Sequence, residues 1–158
     1  MLKFALIGAA LVVITVIIHA AGTTRWLGVL RRRYADEDGL FRPEKTLQVL
    51  IGTVLVLLLL HTLEIIVWAG AYQLLLPTGE LASFEEAVYF SFVTFTTLGY
   101  GDITLSENWR LLSGIEALNG IMLVGWTTAM LFAVVQRTWQ GIAKKGRDKP
   151  DSAGPGIQ

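Results

Sequence analysis

The sequence has no cysteine among its 158 residues. A disulfide scaffold, a thiol nucleophile and any Cys-based metal site are thereby excluded. Charge is scarce as well: Asp, Glu, Lys and Arg together make up 16% of the chain, against about 25% in soluble domains. Thirteen basic and thirteen acidic side chains cancel, so no cationic excess points to nucleic acid. Two histidines, His19 and His61, are too few to build a His-rich site by themselves. A Gly-rich phosphate loop, a metalloprotease His-Glu pair and a nucleophile elbow are all missing, so neither enzymatic activity nor a cofactor is expected. No internal repeat is visible. What the chain has in quantity is apolar, 53% of its residues, gathered into long runs.

Three of these runs, Leu2–Ala21, Leu47–Leu76 and Leu111–Val135, reach the roughly 20 residues that a helix needs to cross about 30 Å of hydrocarbon. The second is long enough to tilt or protrude. A fourth run, Phe84–Thr96, gives only about 20 Å of helix and is too short to span. In lipid such a segment survives as a re-entrant element buried in protein or facing water.

Charge sets the expected topology. Arg25, Arg31, Arg32, Arg33, Arg42 and Lys45 lie between the first two spans, and Arg137, Lys144, Lys145, Arg147 and Lys149 follow the third. Between the second and third spans Arg110 stands alone against Glu80, Glu85, Glu86, Asp102 and Glu107. The positive-inside rule then puts the first loop and the C-terminus in the cytoplasm, with the N-terminus and the re-entrant segment outside. The alternative, a cleaved signal peptide over Met1–Ala21, would invert everything after it.

The re-entrant segment is the informative one. Ser83-Phe84-Glu85-Glu86 reads as a capping box, with Ser83 taking an amide of the first turn and Glu86 reaching back. Tyr89, Phe90, Phe92 and Phe95 supply aromatic bulk along the helix that follows. That helix runs into Thr96-Thr97-Leu98-Gly99-Tyr100-Gly101-Asp102, where two glycines at alternating positions permit dihedrals that other residues resist. Successive carbonyls from Thr97 to Tyr100 are then free to point the same way.

This segment resembles the selectivity filter of the potassium channels, with Leu98 where many members carry Val. The resemblance covers roughly residues 47–139: an outer helix over 47–76, a pore helix over 83–96, the filter over 97–102 and an inner helix over 109–137. Residues 1–22 are an additional span, 23–46 a basic cytoplasmic loop, and 140–158 a disordered tail. The resemblance implies an all-α membrane protein with the tetrameric pore architecture, one filter per chain and passive K+ conduction. K+ would be held by Thr97, Leu98, Gly99 and Tyr100, and supported by Thr96, Gly101 and Asp102. Tyr100 would face away from the pore, and Asp102 would tether the filter. Gly120, 19 residues after Gly101, falls where the family commonly places a hinge, although close helix packing explains it equally well. The implied partners are K+, membrane lipid and further copies of the chain; a bacterial inner membrane suits the size. The rivals are a weakly selective cation channel and a non-conducting channel-like subunit, and after them a membrane enzyme built on His61 and Glu64.

The gating stimulus is less legible. The first span has no arginine ladder, Arg31–Arg33 are expected in a loop, and the tail is expected to be too short for a ligand-binding domain. His61 and Glu64, three residues apart, share a face of the second span, and Glu116 lies in the third. Ionisable groups within spans are costly and are functional candidates. They suggest either a proton-sensitive gate or a hydrogen-bonded strut. His19 is expected at the interface, and Trp26, Trp68, Trp109 and Trp139 at span ends. Thr127 and Thr128 are expected either at a water-filled cavity or bonded to their own backbone.

Overall fold

The computed structural model describes residues 2–77, 79–107 and 109–147. Four helices follow one another: α1, Leu2–Tyr34; α2, Thr46–Leu75; α3, Phe84–Phe95; and α4, Arg110–Arg147. Among the described residues the other regular features are a 3-10 turn, Pro43–Lys45, and one isolated bridge between Ala35 and Phe41. α1, α2 and α4 have 33, 30 and 38 residues and are each apolar enough to cross a membrane. At 1.5 Å per residue even α2 is about 45 Å long. The chain is an all-helical, multi-pass membrane protein. α3, at 12 residues, is too short to cross.

Two helices run further than their apolar stretches. α1 continues through residues 23–34, expected as loop, so Arg31, Arg32 and Arg33 form its last turn. α4 continues to Arg147, with Lys144, Lys145 and Arg147 in its last turn. In both cases cations sit at the carbonyl end, where the helix dipole favours them. The part of the tail from 148 to 158, with Lys149, lies outside the described residues.

The connection left between α1 and α2 is short and structured. The Asp36 carboxylate accepts from the amides of Asp38 (3.1 Å) and Leu40 (2.9 Å), and Gly39 turns the chain at φ +74°. This turn rests on α4. A Cβ at Gly141 would stand 2.2 Å from the Phe41 carbonyl oxygen, so only glycine permits the approach. Lys144 pairs with Asp36 and Asp38, and Lys145 with Glu44.

α1 packs against both α2 and α4 of its own chain. Hydrophobic burial does not hold helices together in lipid; close packing and polar contacts do. Both are present. Gly8 admits Ile115 of α4 and Gly22 admits Leu60 of α2, each closer than a Cβ would allow. Trp26 Nε1 donates to Thr53 on α2 (3.0 Å), and Asn119 on α4 donates to Thr15 (2.9 Å). Trp26 is thus a packing residue rather than part of an interfacial belt. The same correction applies to Trp68, which is fully buried beside Tyr72. Trp109 packs edge-on against Phe4 with ring centroids 4.8 Å apart, while Trp139 is exposed.

Candidate functional site

α3 begins as its capping box requires. Ser83 Oγ accepts from the Glu86 amide at 3.1 Å. Glu86 reaches back one residue further than expected and accepts from the Ala82 amide. Glu85 and Glu86 occupy the first turn, at the positive end of the dipole.

The carbonyl end of α3 carries the less expected feature. The Thr97 amide donates to Thr94 O (2.9 Å) and the Leu98 amide to Val93 O (3.0 Å), the paired bonds of a Schellman cap. That cap needs a left-handed residue, and Thr97 supplies it at φ +59°. A β-branched residue there is a genuine outlier, and such strain persists only where the surroundings impose it. Gly99 at φ +57° and Gly101 at φ +77° continue the alternation. The Gly99 amide also turns back to Val93 O, at 3.3 Å. The amides of residues 97–99 are therefore spent on the helix, while no hydrogen bond to the carbonyls of Thr97, Leu98, Gly99 or Tyr100 occurs among the described residues. These residues are exposed, so the four carbonyls are open to water or to another partner.

The segment is also uncovered. Tyr100 is 67% exposed and Leu98 56%, whereas Phe90 and Phe95 of α3 are buried. Tyr100 therefore makes no bracing contact within its own chain. The Tyr89 hydroxyl donates to the Asp102 carboxylate at 2.7 Å, which holds that carboxyl below its ordinary value. Thr96 bonds back to Phe92 O. At the same outer end Glu80 accepts from the Ser106 amide at 3.0 Å, and bonds from Ser106 hold its carboxyl below the usual range.

Behind α3 stands α4. A Cβ at Gly120 would lie 1.9 Å from the Phe95 carbonyl oxygen, so glycine here lets the inner helix touch the end of α3. α4 runs unbroken through this point. Glu116, one turn away, is fully buried and accepts from the Tyr72 hydroxyl at 2.7 Å. Among the described residues it makes no hydrogen bond to His61.

His61 and Glu64 do meet, and a third residue joins them. His19 lies in the middle of α1 and is fully buried, not at the interface. Its Nδ1 is 2.8 Å from Glu64 Oε1, while His61 Nδ1 is 3.0 Å from Oε2. Both Nε2 atoms face the Thr127 hydroxyl, that of His61 at 2.8 Å and that of His19 at 3.4 Å. A third ionisable side chain beside His61 and Glu64 is thus supplied by the extra helix. Its signal was in the sequence: Thr15, His19 and Thr23 recur every four residues along one face of α1. Thr128 bonds its own backbone, to Val124 O.

Residues 60–137 match the family described as ion channel, an interval that opens within α2, contains α3 and the segment after it, and closes within α4. No curated protein and no solved structure matches the chain.

Proposed function

We propose that the chain, whose residues 60–137 match the ion channel family, conducts K+ selectively and passively through a pore made by four copies. The observation that carries this reading is the row of unpaired carbonyls at Thr97, Leu98, Gly99 and Tyr100, held by alternating left-handed residues. Around a fourfold axis those carbonyls form stacked oxygen rings that replace an ion's hydration shell. The exposed Leu98 and Tyr100 side chains suit the same arrangement, since neighbouring copies cover them. Thr97 adds its hydroxyl at the inner end, and Asp102 holds the outer end through Tyr89. The five acids around the outer mouth concentrate cations, and the basic ends of α1 and α4 face the cytoplasm. His61 and Glu64 enter as a fastener between helices, Gly120 as the contact of the inner helix with α3.

The test is flux from liposomes containing the purified chain. K+-loaded vesicles diluted into Na+ medium should collapse a potential-driven dye signal, and Na+-loaded vesicles diluted into K+-free medium should not. Equal flux of both ions favours the weakly selective channel. Absence of flux with an intact tetramer favours the non-conducting subunit.

A further inference from the structure

The mid-span cluster is one cation short. Suppose Glu64 is ionised and each histidine donates its Nδ1–H to it, as the 2.8 Å and 3.0 Å contacts allow. Both Nε2 lone pairs then face Thr127, whose hydroxyl has one hydrogen to give. One lone pair is left over, and the carboxylate keeps a net negative charge inside the span. A second cation closes the arrangement, either an extra proton on one ring or a metal ion.

We propose that His19, His61 and Glu64 form a binding site for one divalent transition-metal ion per chain, with Zn2+ the best fit. Their ligand atoms lie within 4.8 Å of one another, on two different helices, with His19 and Glu64 fully buried. Tetrahedral zinc with bonds of about 2.0–2.2 Å sets its ligands about 3.3 Å apart, so the cluster closes by a ring shift of about an ångström. His61 keeps 15% of its side chain accessible and has the room to make it. Two imidazoles and one carboxylate are a known zinc set with an open fourth position. Binding through the two Nδ1 atoms moves both ring protons to Nε2, and both N–H groups then donate to the Thr127 oxygen. That outer contact is the kind that orients metal-bound histidines. The metal leaves one positive charge at the site. α3 ends beside it, the Phe95 ring centroid 5.9 Å from that of His61, and the negative end of its dipole suits a cation. An ion here ties α1 to α2 and, through Thr127, to α4.

Binding is read without conduction, so its outcome is independent of the channel reading. The untagged full-length chain in detergent is dialysed against Zn2+, with Mg2+ as the oxygen-preferring control. The expected result is one Zn2+ per chain, no Mg2+, and a thermal midpoint that rises with zinc concentration. Since His19 and His61 are the only histidines, H19Q and H61Q should each weaken zinc binding by roughly 100-fold or more, as loss of an inner ligand exceeds the 10–100-fold typical of outer partners. Should either variant misfold, Cu2+ bound to the wild-type chain serves instead: its EPR spectrum should show coupling to two imidazole nitrogens. Sub-stoichiometric zinc, binding that survives both substitutions in folded protein, or copper without nitrogen coupling would each overturn the site and leave a proton as the missing cation.

Discussion

The segment after α3 and the cluster in mid-span are opposites. At residues 97–100 the backbone offers carbonyls with no partner and the side chains of Leu98 and Tyr100 stand exposed. At His19, His61 and Glu64 the side chains are partnered within one chain, and two of the three are wholly buried. The first, on the proposed reading, is completed by neighbouring copies and an ion. The second is nearly complete alone and serves to hold three helices in register. On the proposed reading conduction belongs to the assembly, whereas the attachment of the extra helix is a property of the chain.

That contrast can be broken at several points. The largest effect is expected from Gly120→Val, because the first added carbon meets a backbone oxygen that no rotamer change can move. Overpacking that side chains can absorb costs about 1–3 kcal/mol and a clash with fixed backbone costs more; here α3 and α4 must part, so loss of both tetramer and flux is expected by native mass spectrometry and liposome assay. Gly28→Ala, with nothing within 4 Å of the new carbon, should leave both intact. Glu64→Ala comes next, since it strands two imidazoles in mid-span. Removing one partner of a buried ionic group costs about 3–5 kcal/mol, so the thermal midpoint should fall sharply while K+ over Na+ preference in any surviving tetramer stays unchanged. A change in selectivity there would mean that the two regions are not separate. Tyr72→Phe, which takes the donor from Glu116, is the mildest. Hydrogen bonds between membrane helices average about 0.6 kcal/mol and reach about 1.7, so a shift of that order in chemical denaturation is expected, without loss of assembly.

Much of this was legible in the sequence, for definite reasons. The three long apolar runs and the Ser83 cap act locally, and the structure has them. Apolarity marks where lipid ends, not where a helix ends. Residues 23–34 and 138–147 therefore went unread as helix, although cations at a helix carbonyl end are favourable. The link between Glu64 and His19 spans 45 positions, and that between Tyr72 and Glu116 spans 44. Local periodicity carries no record of such pairs. The four-residue spacing of Thr15, His19 and Thr23 indicated a polar face on α1, but not which helix it would meet. Gly99 and Gly101 announced their positive φ by being glycine; Thr97 did not, because threonine there is imposed by the cap it completes.

The central claim is that the carbonyls of Thr97, Leu98, Gly99 and Tyr100 select K+. Its most direct test is the reversal potential of the purified chain in planar bilayers under opposed K+ and Na+ gradients, with Gly99→Asp as the control. The account predicts reversal near the K+ equilibrium potential and loss of that current in the variant, since a side chain at φ +57° strains the backbone that presents the carbonyls and brings a carboxylate beside them. A reversal midway between the two ions, or one that the substitution leaves in place, would contradict it.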